Sequence, residues 1–173
     1  PRAVELGELY KIPILVAASF SESPGTLIHG GASMEVRNKV TSIAFDLNVA
    51  KLTVVGVPDR PGIAASIFES LASAGISVDT IVQNASIRGI TDLTFTVAKG
   101  DLEKAMEVVK SIADSIGAKQ CVSDAKLGKV SIIGTGMQNA PGYAARMFSA
   151  LSEKEINIQL ITTSEIRITC IIS

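Results

Sequence analysis

Cysteine and histidine are scarce in this chain: Cys121 and Cys170 are isolated, and His29 is the single histidine. A disulfide framework, a zinc site and a Cys-His or Ser-His nucleophile pair all need partners that such a composition does not supply. No metal site and no Cys-His or Ser-His nucleophile are therefore expected, and the two cysteines are read as buried apolar side chains in a reducing compartment. Aromatic residues make up 4% and the formal net charge is −1. That leaves neither a stacking platform nor a basic surface, so nucleic acid and anionic membranes are not expected partners. No apolar run approaches the roughly 18 residues of a membrane span. The opening PRAVELGELYK has no apolar core followed by a cleavage site, so a cytoplasmic location is expected. It also lacks an initial Met, and the chain is expected to be a piece of something longer.

What is present is a core-forming composition, 47% hydrophobic and 19% charged over 173 residues, enough for one ordinary domain or two small ones. An internal repeat decides between them. PGIAASIFESLASAGISVDTI pairs without gaps with PGYAARMFSALSEKEINIQLI, and upstream LTVVG matches VSIIG in pattern. A period of about 80 residues is too long for a solenoid unit and indicates two copies of one small domain.

In the first copy LTVVGV reads as a strand, and Ala64, Ile67, Phe68 and Leu71 recur at helical spacing before Gly75. ISVDTIVQ and TDLTFTV read as strands, the second with Leu93, Phe95 and Val97 on one face. Asp101 is a candidate cap for a helix whose stripe is Leu102, Ala105, Met106, Val109, Ile112, Ala113 and Ile116, closed by Gly117. KQCVSDA supplies a last strand. The order β-α-β-β-α-β predicts an α+β fold: two ferredoxin-like domains, antiparallel sheets with helices on one face. The second copy ends after EIRITCIIS, with Ile166, Ile168, Cys170 and Ile172 expected on one face. It lacks a second helix and a fourth strand, which would leave a bare sheet edge. VTSIAFDLNVA, residues 40–50, is a strand-like segment without an assigned partner, and it is expected to complete the second copy. The expected division is 1–30, a helix and a buried strand from the end of another domain; 31–50, linker and completing strand; 51–128, first domain; 129–173, second domain.

Each copy starts a helix with Pro-Gly, in PDRPG and in NAPG. Pro suits a first helical turn because its missing N–H would go unpaired anyway. With Pro61 as the first helical residue, Arg60 and its counterpart Ala140 hold the cap positions, and neither side chain accepts a backbone hydrogen bond. The open N–H groups and the positive end of the helix dipole then favour a carboxylate or phosphate, although water capping accounts for the same pattern. Asp59 is placed to face an ammonium, and Gln83 and Asn84 offer amides from the adjacent strand. A carboxylate site beside an ammonium site describes a free α-amino acid. The second copy has MQN where the first has DR, so an acid from elsewhere is needed there, and Asp79 is the candidate.

Those stretches, together with VQN-S and TTSEIRI, resemble the paired ACT domains of the aspartate kinase family. PRAVELGELYKIPILVAASFSESPGTLI resembles the last helix and strand of its amino-acid kinase domain, and the likeness extends over essentially the whole chain. The resemblance implies a parent enzyme that transfers the γ-phosphoryl of ATP, with Mg, to the β-carboxylate of aspartate. It implies feedback regulation by threonine, lysine or both where ACT domains pair, homodimerisation through those domains, and partnership with a kinase domain or full-length subunit. The catalytic core with its Lys-Phe-Gly-Gly motif is not in this sequence, so the chain itself is expected to need no cofactor and to be inactive. Carried over by position, one effector site would use Asp59, Gly62, Ile63, Ala64 and Gln83, with Asn157 and Ile158 from a second ACT domain. The other would use Met137, Ala140, Tyr143, Ala144 and Ser164, with Asp79 across the interface. Ser86 matches a position where change relieves inhibition, and Met34 falls where an internal start would lie. The family normally continues beyond the counterpart of Ser173 with a closing helix.

Rival readings of the sheet are weaker. A metal carrier would need paired cysteines, and a phosphatase would need an Arg in both phosphate loops, whereas Arg60 is answered by Ala140. The serious alternative is an oligomerisation module whose helix starts hold only water.

Overall fold

The computed structural model describes residues 2–20, 22–30, 40–86, 88–137 and 141–173. The chain forms two compact units, Pro1–Lys39 and Val40–Ser173. Met34 and the 31–39 linker lie outside the described residues. The first unit holds α1 (Arg2–Leu9) and a hairpin of β1 (Ile14–Val16) and β2 (Thr26–Ile28), with Ile14 opposite Ile28. The strand at β1 was expected to be buried, yet Leu15 and Val16 are 61% and 53% exposed. One short helix and two three-residue strands make too few layers to cover an apolar face.

The second unit is built on two long strands. β3 (Ser42–Pro58) has 17 residues and β6 (Gln120–Ile133) has 14. Around them run α2 (Ile63–Ser73), β4 (Ile81–Gln83), β5 (Ile90–Val97), α3 (Leu102–Ile116), α4 (Tyr143–Ser152), β7 (Ile158–Ser164) and β8 (Arg167–Ile172). The strands form one antiparallel sheet in the order β4-β5-β3-β6-β8-β7. Sequence reading gives each long strand as two pieces. The structure joins them, because antiparallel pairing continues through the intervening residues.

The pairing divides the sheet functionally into halves. The C-terminal part of β3 lies between β5 and the start of β6, with Leu52 opposite both Phe95 and Ser123. The N-terminal part pairs with the second copy's first strand, Ser42 opposite Ile133 and Asp46 opposite Lys129. Between the halves the β3–β6 register slips twice, at Asp46/Val49 and at Val49/Lys51. Each slip adds a residue to one strand and increases local twist. The extra residues are held: Asn48 N–H donates to Asp46 Oδ1 at 2.8 Å, and Asn48 Oδ1 accepts from the Lys99 N–H at 3.0 Å.

The first half buries α2 and α3 against Leu52, Val54, Leu93, Phe95 and Val97. The apolar stripe of α3 is buried as its spacing predicts, at Ala105, Val109, Ala113 and Ile116. Gly117 closes it, whereas Asp101 occupies the cap position without a side-chain hydrogen bond. Phe68 and Phe95 meet edge to face, ring centroids 5.4 Å apart, an arrangement that adds about 1 kcal/mol to area burial. In the second half α4 packs Met147 against Ile168 and Cys170. Ile43 and Phe45 share that face in register with Ile132 and Val130, and are 70% and 76% exposed. Among the described residues, α4 is the helix packed on that half.

Away from the helices a second core forms from Val49, Leu127, Leu160 and Ile171, with Val82 packed against it. Lys51 Nζ reaches Gln159 Oε1 at 2.9 Å. Two strands, β6 and β8, lie between β3 and β7 in the sheet order, so this contact means the two half-sheets turn their helix-free faces toward each other. β8 is thus buried on both sides, through Ile168 and Cys170 on one and Ile171 on the other. Reading EIRITCIIS as a single buried face accounts for the first side only, and Ile166 is 46% exposed.

Phe95→Ala should lower unfolding free energy by about 3–5 kcal/mol, and Phe45→Ala by no more than about 0.5 kcal/mol, both read from urea denaturation. Burial pushes the Cys170 thiol pKa up and does the same less simply at Cys121, where Lys110 opposes it. The Cys170 thiol should therefore resist an aromatic disulfide reagent in the native chain and react once the chain is unfolded in urea.

Candidate functional site

Both Pro-Gly helix starts have one geometry, and it differs from the expected one. The cap of α2 is Gly62, with φ 95°, and that of α4 is Gly142, with φ 98°; neither helix has a side-chain cap. Pro61 and Pro141 therefore precede the cap, and Arg60 lies outside the helix. The first intrahelical bonds run from Ser66 N–H to Gly62 O and from Arg146 N–H to Gly142 O, both at 3.0 Å. That leaves the N–H groups of Ile63, Ala64 and Ala65, and of Tyr143, Ala144 and Ala145, at the mouths of the helices. A Cβ on Gly62 would meet nothing within 4 Å. Glycine is needed there for its positive φ, not for space.

The strand leading to α2 is also shaped locally. β3 carries an extra residue against β5 between Val54 and Val57. Gly56 sits in this bulge at φ 70°, and its N–H, withdrawn from the ladder, donates to Asp92 Oδ1 at 2.9 Å. Beyond it, Asp59 N–H donates to Gly89 O at 2.9 Å, tying the loop to the β4–β5 hairpin. The result is a cleft of about 340 Å³ lined by Asp59, Gly62, Ile63, Ala64 and Gln83. Its floor is Val57, Thr91 and Leu93, all buried. Thr91 Oγ1 donates to Asn84 O at 2.7 Å, so that hydroxyl is satisfied. Asp59, Ala64 and Gln83 are exposed at the rim. Among the described residues the Asp59 carboxylate makes no salt bridge.

The equivalent cleft in the second half, about 460 Å³, is lined by Met137, Gly142, Tyr143, Ala144, Thr163, Ser164, Glu165 and Ile168. Four residues expected together, Met137, Tyr143, Ala144 and Ser164, thus share it. Ala140 lies outside the described residues. Gly142 joins them as one of the open helix-start residues of NAPG, whereas Thr163 and Glu165 are additions, the first within reach of the repeat. Gly142 is the counterpart of Gly62, and Thr163 that of Gln83. Glu165 also corrects the expectation that this cleft has no carboxylate of its own.

Other expected site residues lie apart within one chain. Asn157 and Ile158 line a separate cleft with Phe148, Ser152, Glu155 and Ile156. Asp79 lines another of about 380 Å³ with Asp46, Asn48, Ser77, Asp101 and Lys129 among its walls. Ser77 and Asn157 are repeat counterparts, so these two clefts mark the same place, the entry to the second strand, in each half. Ser86 is exposed beyond β4 and outside the cleft linings.

The sequence profile of the family described as ACT domain matches residues 52–111 and 130–173. The chain is 44% identical over 173 residues to the aspartokinase of Pseudomonas aeruginosa, covering 99% of this chain and 42% of that protein. A crystal structure of aspartokinase alpha and beta subunits matches at 46% identity and a TM-score of 0.72, over 78% of this chain and 88% of that one. The ligand-free regulatory subunit of aspartate kinase from Thermus thermophilus matches at 38% identity and a TM-score of 0.73, over 78% and 89%. Repeat, fold and profile together define a tandem ACT-domain protein. Within that class the chain belongs to the aspartokinase family, as its regulatory region, and spans 42% of the length of the curated relatives it matches.

Gly62→Ala should destabilise the fold by about 1–2 kcal/mol through backbone strain alone. Pro61→Ala should cost less than about 1 kcal/mol. Equal losses in chemical denaturation would contradict the cap geometry.

Proposed function

We propose that this chain senses amino-acid end products for a parent aspartokinase. The observation that carries the reading is the cleft at the start of α2, where three kinds of group converge. The open N–H groups of Ile63 and Ala64 are suited to an α-carboxylate, reinforced by the helix dipole. The Asp59 carboxylate is suited to the α-ammonium, and Gln83 adds an amide with both donor and acceptor. The floor of Val57, Leu93 and the Thr91 methyl suits a small side chain. Threonine fits this set, and lysine is the second candidate effector. The cleft at the start of α4, with Glu165 in place of Asp59, is a second and non-equivalent site.

The four half-sites suggest how assembly completes them. Each helix-start cleft lacks the strand-entry residues assigned with it, Asn157 and Ile158 in one case and Asp79 in the other. In a homodimer joined through its ACT domains, a facing copy supplies them. Exposed Ile81 and Ile161, counterparts on the two outer strands, are 52% and 45% exposed and support such pairing. The parent enzyme would phosphorylate the β-carboxylate of aspartate with ATP and Mg in the cytoplasm. This chain would bind effectors and assemble without phosphotransfer of its own. Inhibition then requires that the liganded arrangement favour an inactive kinase, since a ligand shifts an equilibrium only by its differential affinity.

The same exposed isoleucines favour a second reading, an oligomerisation module with no effector. Calorimetric titration with L-threonine and L-lysine separates the two. Asp59→Ala and Gln83→Ala should each weaken threonine binding about tenfold or more, the expected loss of a hydrogen bond to a charged group. Unchanged affinity in both variants would sink the site assignment. No heat with either amino acid would favour the oligomerisation module.

A further inference from the structure

The strand-entry cleft of the first half is not vacant. Lys129 Nζ lies 2.8 Å from Asp79 Oδ2 and 3.7 Å from Asp46 Oδ2. It thus already holds the position on Asp79 that an effector ammonium would take. The repeat shows what is particular about this contact. Lys51 is the counterpart of Lys129, and Gln159 that of Asp79. Lys51 reaches across to Gln159 at 2.9 Å as Lys129 reaches to Asp79 at 2.8 Å. The two lysines therefore make crossed, pseudo-symmetric contacts between the halves, and only one of them ends on a carboxylate. A ligand ammonium has no acid to compete for at Gln159, but it does at Asp79.

We infer that Lys129 is a built-in competitor for the ammonium position on Asp79, and that Asp46 is its alternative berth. Two ammonium groups on one exposed carboxylate repel each other, so a bound cation displaces Lys129 from Asp79 Oδ2. Lys129 already touches Asp46 at ion-pair distance, so the exchange needs a side-chain movement of about an ångström and no unpaired charge. Asp46 stands at the register slip between the half-sheets. Ligation of Asp79 is thereby reported at the seam of the two domains. This deepens the amino-acid-binding reading above and rests on it.

The test follows the Asp79 backbone amide by nuclear magnetic resonance while L-lysine, and separately L-threonine, is titrated into the full chain. Lys129→Met should tighten the binding seen at Asp79 by about twofold to fivefold, the range expected for an exposed ion pair. Asp46→Asn should weaken it by a similar factor, because Lys129 then has no other berth. Asp101→Asn removes a carboxylate from the same cleft, one that Lys129 does not touch, and should leave binding within about 1.5-fold, well inside the effect of one exposed pair. Equal weakening by Asp46→Asn and Asp101→Asn would reduce the effect to general cleft charge and overturn the exchange. Unchanged binding in Lys129→Met, with the fold confirmed by its amide spectrum, would overturn the competition while leaving the sensing function intact. No shift at Asp79 with either amino acid in the unaltered chain, while the Ala64 amide still responds, would overturn the inference alone. No response at either amide would overturn the sensing reading itself.

Discussion

Antiparallel pairing between β3 and β6 is the interaction on which the rest of this fold depends, because each strand serves two domains at once. At about 3.3 Å per residue, a strand the length of β3 is ~55 Å long, far more than one small domain needs. Its first part belongs beside Lys129–Ile133 and its second beside Gln120–Leu127, with the register slips at Asp46/Val49 and Val49/Lys51 between them. Without those slips the two half-sheets would continue as one evenly twisted ribbon. With them, the extra residues bend and twist the ribbon until Val49, Leu127, Leu160 and Ile171 meet in a core of their own. The domains are consequently held by shared backbone and by an apolar seam together.

The same pseudo-symmetry places equal chemistry at equal points. A hydroxyl pair joins strands in each half, Thr53 to Thr94 at 2.9 Å and Ser131 to Thr169 at 2.7 Å. Each satisfies polar groups inside a sheet and penalises a one-residue slip that would separate them. Each half also starts a helix on a glycine with positive φ and no side-chain cap. The side chains around those shared features differ: Gln83 against Thr163, Ala85 against Glu165, Asp79 against Gln159. Backbone geometry leaves helix-start N–H groups open in both halves, and the side chains around them differ.

Much of this was legible in residues. The gap-free repeat, the stripe from Leu102 to Ile116 and the alternation of Leu93, Phe95 and Val97 follow from period and spacing, and their burial agrees. Asp59, Gly62, Ile63, Ala64 and Gln83 were named together and line one cleft. What escaped reading depended on non-local pairing. Lys51 and Lys126–Gly128 fall between segments that read separately, yet pairing with neighbouring strands carries β3 and β6 through them, Lys51 opposite Thr96, Leu127 opposite Val49 and Gly128 opposite Ile172. Proline's preference for a first turn points to Pro61 as helical, but Gly62 takes the cap through a positive φ that sequence does not print. Lys129 gave no signal at all. Its importance comes from standing near Asp79 and Asp46, which are far from it in sequence.

A chain built this way constrains how a ligand can act on it. The apolar seam and the shared strands are close-packed and cannot deform gradually, since interiors transmit strain instead of absorbing it. The seam also contains contacts of a different kind: Lys51 with Gln159, and Lys129 between Asp79 and Asp46. Exposed polar pairs of this kind have small energies, and Lys129 has two carboxylates within reach, so it can exchange between them without disturbing the core. A regulatory domain needs states separated by little free energy but by definite structure. In this unit Lys129 is the crossing of the seam with two carboxylates in reach, while the apolar core beside it is packed in one arrangement.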